Sequence, residues 1–319
     1  MLDLVKGARL IVETCARVKP GEKVLVIADD KAYPMQMGGL VMDVANSIGA
    51  EAILAVMEPR KISGQEPPHA IAMAMAAVNA VIHITNGQGM GHTNARKEAT
   101  DAGVRFYSMI EVPEDYFKRE ITSADIEHIK ERTERLAEKM TKAHYARVKT
   151  PAGTDIAMSL EGRQGLALQP LWHVLGGLPD YAEAAIAPVE GTAEGTMVID
   201  IGVIGWAYLL RQPIRCVVRS GMVVQMCDGE DADRLRKIAA TDENASNIAE
   251  LGIGTSHTIP KIYRATRRDG GIEGTIHIAI GRNNDMGGRT WSRIHADGLM
   301  DKPTVELDGE IVLNQGVLV

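Results

Sequence analysis

The chain has 319 residues, with 35 Lys+Arg against 42 Asp+Glu, a formal net charge of −7 and 45% hydrophobic residues. This acidic balance, without a Lys/Arg block, argues against nucleic acid or an anionic membrane as a partner, because both need a cationic face. No run reaches the roughly 18 apolar residues that a membrane helix needs, and the charged N-terminus is unlike a signal peptide. We therefore expect a cytoplasmic protein that acts on a small-molecule substrate.

The first 148 residues alternate helical and strand patterns. Four continuous apolar runs have the length of strands: 24–29, 52–57, 80–85 and 104–109. Helical stripes over 2–18, 35–48 and 69–78 alternate with them. Continuous apolar strands between helices indicate a parallel sheet covered on both faces, as in an α/β domain. The charged stretch from Ser123 to Arg147 predicts a long helix that leads out of this domain.

From Lys149 onward, short strands joined by turns replace this alternation. Five segments have strand patterns: 154–160, 196–201, 214–226, 275–281 and 304–313. One helix, over 231–241, interrupts them. The length fits two domains. We therefore predict an α/β domain with a parallel sheet over residues 1–148 and an α+β, mostly antiparallel domain over residues 149–319.

A glycine-rich segment, Asn86 to Gly91, follows the third predicted strand and precedes a helix. A phosphate-binding loop and a flexible loop at the edge of the sheet are both compatible with it. The glycines alternate as G-x-G-x-G and the segment does not follow the first strand, so we favour the flexible loop and predict no nucleotide cofactor.

The sequence His295-Ala296-Asp297 is the first candidate for metal chemistry. On a strand, alternation sends His295 and Asp297 to the same face, roughly 6.6 Å apart, and both can then reach one cation or a pair of cations. A hydrogen-bonded surface pair is the alternative. Ser292 would point to the other face, so these residues alone make a poor Ser-His-Asp triad.

Two more ionisable residues lie among apolar neighbours. His277 lies in TIHIAIG, and Glu250 lies in NIAELGIGTS before a predicted glycine-rich turn. A carboxylate buried without a partner is driven to protonate, and a metal ion supplies the missing charge. Both residues are also compatible with satisfied positions in a core. Glu183, Glu190 and Glu194 form an acidic segment that a solvated loop would also explain.

Five segments, taken in order, carry a family resemblance: GEKVLVIADD, LPDYAEAAIAPVEGTAEG, NIAELGIGTS, GTIHIAIG and SRIHADGL. They resemble the aminopeptidase T (leucyl aminopeptidase) family of metallopeptidases and its relatives, the 2,5-dihydroxypyridine 5,6-dioxygenases. The resemblance spans the C-terminal domain well and the N-terminal domain loosely. It implies a metal-dependent enzyme whose C-terminal domain binds the metal.

The aminopeptidase resemblance implies a set of site residues. The family holds two metal ions with Glu, Glu, His, His and Asp, and the matching positions are Glu183, Glu250, His277, His295 and Asp297. Glu183 and Glu250 are then candidates for a bridging ligand or a general base. The position of the family's catalytic Tyr falls on Asn284, which becomes a candidate donor to an oxyanion.

The two branches of the family imply two reactions. In a hydrolase, Zn, Co or Mn lowers the pKa of bound water towards ~7 for attack on an amide of a small substrate. In a ring-cleaving dioxygenase, Fe(II) on His277, His295 and Asp297 resembles the arrangement of two His and one carboxylate. The carboxylate-rich set favours the hydrolase, with the dioxygenase as the alternative. A non-catalytic protein that binds a small ligand is the second alternative.

The C-terminal segment ELDGEIVLNQGVLV ends in an apolar run. An unprotected apolar edge is usually covered by a partner. The resemblance agrees, because these relatives form dimers or larger assemblies. We therefore expect a homo-oligomer.

Overall fold

The computed structural model describes residues 2–61, 65–91, 93–110, 112, 116–171 and 178–319. The chain forms two compact units: Met1–Lys130 with Gln169–Tyr181, and Glu131–Leu168 with Ala182–Val319. The division lies inside a long helix, whereas the sequence places the boundary after residue 148. The predicted boundary after residue 148 refers to domains that fold independently, whereas the two compact units are defined by contacts. The predicted boundary therefore stays a prediction.

The first unit is built on a four-stranded parallel sheet. Its strands are β1 (Lys23–Asp29), β2 (Glu51–Met57), β3 (Ala80–Thr85) and β4 (Arg105–Ile110), in the order β2-β1-β3-β4. Val26 in β1 pairs with Leu54 on one side and Ile82 on the other. The side chains from Val24 to Ala28 are fully buried, which explains why this strand is a continuous apolar run.

Helices cover both faces of this sheet. They are α1 (Leu2–Arg9), continued by a π-helical segment over Leu10–Cys15, α2 (Ala32–Ser47), α3 (His69–Ala76) and α4 (Asn94–Asp101). A longer helix, α5 (Ser123–Lys142), follows β4 in the chain. Gly38 of α2 lies against Ala28 and Val26, whereas α3 and α4 pack in the cluster that contains Leu25 and Ile27. The alternate residues of β1 therefore face different helices.

The end of α5 corrects the sequence prediction. The helix was expected to reach Arg147, but it ends at Lys142 and strand β5 (Tyr145–Lys149) follows. Ala146 and Val148 are fully buried in the core of the second unit. The strand pairs with the strand that follows it directly, Asp155–Ser159, and with a strand near the C-terminus, Thr304–Leu307. Tertiary strand pairing therefore overrides the local helical pattern.

The glycine-rich segment after β3 forms a loop, as favoured. The backbone N–H of Gln88 donates to the Arg60 carbonyl at 2.8 Å. The N-terminus of α4 already has an acidic partner, because the N–H groups of Asn94 and Ala95 donate to the Glu66 carboxylate at 2.6 and 3.1 Å. A carboxylate from this chain thus lies where a helix N-terminus would otherwise attract a phosphate.

The second unit contains two antiparallel sheets and a further helix. The remaining elements are β6 (Asp155–Ser159), β7 (Leu166–Leu168), β8 (Glu183–Ile186), β9 (Glu194–Ile199), β10 (Gly202–Val203), β11 (Ile214–Arg219), β12 (Met222–Met226), α6 (Glu230–Ala239), β13 (Ile248–Gly254), β14 (Ile276–Gly281), β15 (His295–Met300), β16 (Thr304–Leu307), β17 (Glu310–Asn314) and β18 (Val317–Leu318). One sheet has the order β10-β15-β14-β13-β8-β7, the other β12-β11-β9-β6-β5-β16-β17-β18. The predicted fold class, a parallel α/β part followed by a mostly antiparallel part, is confirmed.

A large apolar core is shared by both sheets of the second unit. Leu251, Ile278 and Met300 contribute to it from the six-stranded sheet, and Val148 and Val305 contribute from the eight-stranded sheet. The second half of α5 also packs into this core. Since strand side chains alternate, the other face of the six-stranded sheet is free to carry polar residues.

The C-terminal strand lies at an edge. β18 ends the eight-stranded sheet, and Val317 and Val319 are 65% and 68% exposed. The expected homo-oligomer stays a prediction. None of the helices in the described part of the chain combines the length and apolar character needed to span a bilayer.

We predict that Ile278→Ala lowers the free energy of unfolding by about 2–5 kcal/mol, because truncating a buried aliphatic side chain leaves a cavity. Ile278 is fully buried, whereas the matched control Val224 is 59% exposed. Val224→Ala should change stability by no more than about 0.5 kcal/mol. Urea unfolding monitored by circular dichroism measures both values. Equal effects of the two substitutions would contradict the assigned core.

Candidate metal centre

Five ionisable residues lie on neighbouring strands of the six-stranded sheet. Glu183 begins β8, Glu250 lies in β13, His277 lies in β14, and both His295 and Asp297 lie in β15. These are the five candidate ligands of the sequence analysis. Their neighbours along each strand point into the core, so alternation sends all five side chains to the opposite face.

Strand register brings the five side chains together. Gly254 pairs with Glu183, Gly252 with His277, and Ala279 with Asp297. Glycine or alanine therefore lies beside each of these three residues on one side, whereas Leu168 and Leu299 flank Glu183 and His277 on the other. These small partners leave space above the sheet for the longer carboxylate and imidazole side chains.

A β-bulge in β13 places Glu250 on this face. The register shifts between Ile248 and Glu250. Ile248 and Leu251 both belong to the core, although Ile248 is two residues from Glu250 and would share its face in a regular strand. The predicted glycine-rich turn after Glu250 is wrong, because Gly252 and Gly254 belong to the same strand.

Glu250 lies between the two histidines. Its Oε2 is 2.8 Å from His295 Nε2, and its Oε1 is 3.6 Å from His277 Nε2. Glu183 Oε2 is 3.4 Å from His277 Nε2, and Asp297 Oδ1 is 3.0 Å from His295 Nε2. Two groups of donor atoms result, each within 4.8 Å, and Glu250 belongs to both.

The charges of this cluster shift the pKa values of its members. Burial lowers the pKa of the His277 imidazole, but Glu183 and Glu250 outweigh burial and raise it to about 9. Burial likewise opposes the charged form of His295, yet Asp297 and Glu250 raise its pKa well above the usual value. Burial raises the pKa of Glu250, but the two histidines lower it well below its ordinary range.

The donor set fits a divalent cation. Glu183, Glu250 and His277 are 3%, 5% and 2% exposed. Within this set of five, three carboxylates face two imidazoles. Buried charges are stable only when they are paired and hydrogen-bonded, and a cation would add to the positive charge that the imidazoles supply. Carboxylate oxygen and imidazole nitrogen are ligands for Zn, Mn and Fe.

Main-chain contacts orient one of the imidazoles. His295 Nδ1 lies 2.8 Å from the Arg282 carbonyl oxygen. A carbonyl can only accept, so Nδ1 carries the proton and donates. In a neutral ring Nε2 is then left as the atom that faces the carboxylates and can bind a metal.

Gly252 makes room for the other imidazole. A Cβ on Gly252 would lie 2.1 Å from His277 Nε2, closer than any packed pair of atoms. A glycine inside a strand often marks such a close approach. Sequence analysis missed this role, although the glycine two residues after Glu250 was the available signal. It also missed the Arg282 carbonyl, which no side-chain pattern can mark.

The remaining sequence candidates lie outside the donor cluster. Asn284 is exposed, and its backbone N–H donates to the Thr290 carbonyl at 3.2 Å; its catalytic role stays a prediction. The Ser292 hydroxyl donates to Asp242 at 2.9 Å. Of the acidic segment, Glu183 is buried in β8, whereas Glu194 is exposed at the start of β9.

Fold and site together define a class: proteins with a parallel α/β unit and an antiparallel unit whose strands present clustered carboxylates and imidazoles. The chain belongs to the family described as NicX, 2,5-dihydroxypyridine 5,6-dioxygenase, which matches residues 4–319. The family resemblance predicted from the five segments is confirmed. No curated protein matches the sequence.

Two solved structures are similar over the full chain. The 2,5-dihydroxypyridine dioxygenase from Pseudomonas putida KT2440 has 18% identity and a TM-score of 0.80, covering 99% of this chain and 96% of that one. Wild-type AmpT from Thermus thermophilus has 18% identity and a TM-score of 0.70, covering 100% and 99%. At these identities the likeness shows the fold alone.

We predict that Gly252→Ala weakens binding of a divalent metal by about 10–100-fold, the loss typical when the support of a ligand is disturbed. The new methyl group would displace His277 from its place between Glu183 and Glu250. Isothermal titration with Zn(II) measures the affinity. Gly39→Ala is the control, because a Cβ there meets nothing within 4 Å. Parent-like affinity of Gly252→Ala would contradict the placement of His277.

The metal-free protein should also lose stability as pH rises from about 6.5 to about 9. The folded state holds a proton on His277, whose pKa is raised from 6.5 to about 9. The unfolded chain releases that proton near pH 6.5, so the stabilisation is complete below this pH and disappears through pH 9. Urea unfolding of chelator-treated protein measures the slope. His277→Gln should reduce the slope without abolishing it, because the pKa of His295 is raised as well. A rise in stability across this window would contradict the assignment.

Proposed function

We propose that this chain is an iron(II)-dependent dioxygenase that opens the ring of a small hydroxylated heteroaromatic compound. The family match over residues 4–319 supports this reaction. Within the site, the main support is that one carboxylate and two imidazoles converge: the two oxygens of Glu250 face the Nε2 atoms of His277 and His295. The family match supports the dioxygenase more directly than the hydrolase that the sequence analysis favoured.

The protein residues have separate roles in this proposal. His277, His295 and a carboxylate from Glu250 or Asp297 would hold the iron, and bound iron(II) in such a set supplies open positions for substrate and oxygen. The Arg282 carbonyl keeps His295 in the orientation that presents Nε2. The strand positions fix these donors on a rigid sheet rather than on loops.

Apolar residues flank the donor set on both sides. Ala185 lies two residues after Glu183 on the same face and packs with Ala187 and Met286. Leu299 lies two residues after Asp297 and belongs to a cluster with Ile201 and Ala265, against which Ile204 and Ile262 pack. Apolar walls around a few convergent polar groups suit a flat aromatic ring.

A hydrolase is the second candidate, and one observation favours it. Glu250 belongs to two donor groups at once, one with Glu183 and His277 and the other with His295 and Asp297. A carboxylate shared in this way can bridge two ions that activate water between them. Glu183 or Glu250 would then serve as ligand or general base.

We predict that oxygen uptake accompanies loss of 2,5-dihydroxypyridine only when chelator-treated protein is reloaded with Fe(II). An oxygen electrode and the absorbance of the substrate measure both changes. Parallel samples loaded with Zn(II), Co(II) or Mn(II) should consume no oxygen. His295→Ala should reduce iron affinity by at least about 100-fold, whereas His144→Ala, at an exposed position, should leave it unchanged.

The same samples distinguish the hydrolase from the dioxygenase. Leucine p-nitroanilide and small cyclic amides are assayed with each metal while the electrode records oxygen. Turnover of an amide with Zn(II), Co(II) or Mn(II), without oxygen uptake on any sample, would overturn the dioxygenase and support the hydrolase. Failure of the protein to bind any of the four metals would exclude both.

A further inference from the structure

The turn over residues 282–290 connects the two histidine-bearing strands, β14 and β15. Asn283, which is fully buried, closes this turn: its backbone N–H donates to the Thr290 carbonyl at 3.0 Å, and its Oδ1 accepts from the Thr290 N–H at 2.8 Å. A Cβ on Gly288 would lie 2.0 Å from Asn283 Cγ. The turn is therefore folded tightly around one amide side chain.

Glu190 fixes this turn from outside. Its Oε1 accepts from Asn283 Nδ2 at 3.0 Å and from the Arg289 N–H at 2.7 Å. Its Oε2 accepts from Arg163 Nη2, and Arg163 Nη1 donates to the Gly287 carbonyl at 2.5 Å. Arg163 is 9% exposed and Glu190 24% exposed, so the pair is shielded from much of the solvent.

The turn is also fixed by an apolar contact. Met286, at its tip, packs against Ala185 and Ala187 at and just beyond the end of β8. β8 is the strand that begins with Glu183. The turn between the histidine strands is thus attached to β8 by Met286 and to the segment after β8 by the hydrogen bonds that Asn283 and Arg289 donate to Glu190.

Arg282 links the position of the turn to the candidate metal centre. It is the first residue of the turn, and its N–H donates to the Ile294 carbonyl at 2.9 Å. Its own carbonyl accepts from His295 Nδ1 at 2.8 Å. A shift of the turn would move this carbonyl, and the His295 ring would lose the contact that orients it.

We propose that Glu190, paired with Arg163, is a positioning residue of the metal centre. It holds the turn 282–290 so that the Arg282 carbonyl keeps His295 Nδ1–H pointing away from Glu250 and Asp297. This inference rests on the proposed function only in requiring that the centre binds a metal; it holds for either reaction. Contacts that orient a ligand typically change metal affinity by about 10–100-fold.

The test compares Glu190→Gln with Glu194→Gln. Gln at 190 keeps an oxygen for Asn283 and Arg289 but presents an amide to Arg163, so the ion pair is lost. Glu194 is a matched control, because it lies four residues away, is 52% exposed in its side chain and accepts from Ser220 N–H. Competition with a chelator measures the Zn(II) affinity of each folded protein.

A second measurement reports on the orientation of His295 directly. The Nδ1–H of His295 should give a slowly exchanging proton signal in protein labelled with 15N-histidine, and it is assigned by its absence in His295→Gln. A merely structural role of Glu190 would lower the melting temperature and leave this signal in place. The signal is recorded with Zn(II) and in metal-free protein.

We expect Glu190→Gln to bind Zn(II) about 10-fold more weakly and to lose the His295 signal, while Glu194→Gln matches the parent in both. Unchanged affinity, or weaker affinity with the signal intact, would overturn the inference. If the parent binds no metal, the proposed function fails, and the signal in metal-free Glu190→Gln still decides the positioning role. If Glu190→Gln does not fold, Arg163→Lys takes its place, since Lys keeps the charge without the two-pronged contact.

Discussion

The burial of three carboxylates beside two imidazoles is the constraint on which the second unit depends. Glu183, Glu250 and Asp297 lie within 2.8–3.6 Å of the imidazole nitrogens of His277 and His295. Buried charges are strongly destabilising unless they are neutralised and hydrogen-bonded. The sheet accommodates the cluster because Gly254, Gly252 and Ala279 lie beside Glu183, His277 and Asp297 on one side. A bound cation would add to the positive charge of the imidazoles.

The same strands stabilise the unit from their other face. Leu251 and Ile278 pack in the core while Glu250 and His277, one residue earlier along each strand, point to the site. With a side-chain period of two, a slip of one residue would exchange the apolar and charged sets. Core packing therefore fixes the register that assembles the donors. The bulge after Ile248 is part of this arrangement, since it lets Ile248 remain in the core without turning Glu250 inward.

The sequence predicted those features of the site that depend only on the geometry of a single strand. The His-x-Asp spacing placed His295 and Asp297 on one face, because alternation along a strand needs no knowledge of partners. Glu183 needed the family resemblance, since an acidic segment on its own is equally typical of a solvated loop. The helix predicted over Ser123 to Arg147 is wrong beyond Lys142, because a strand begins at Tyr145 and pairs with β6 and with β16, which is far away in the sequence. The contact between Arg282 and His295 is made by a main-chain carbonyl. Every residue has this group, so no pattern of residue types could have predicted the contact.

The donor set determines which cations bind, whereas the reaction depends on how many bind and on what the open positions admit. Glu250 faces both imidazoles, so it can serve one ion or bridge two. His295 would be a ligand in both arrangements and does not distinguish them. Glu183 does, because with two ions it is a ligand, whereas with one ion held by His277, His295 and Glu250 it remains a carboxylate beside His277 that can accept a hydrogen bond from a substrate hydroxyl. Under either proposed reaction, the expected difference between one ion and two therefore lies at Glu183.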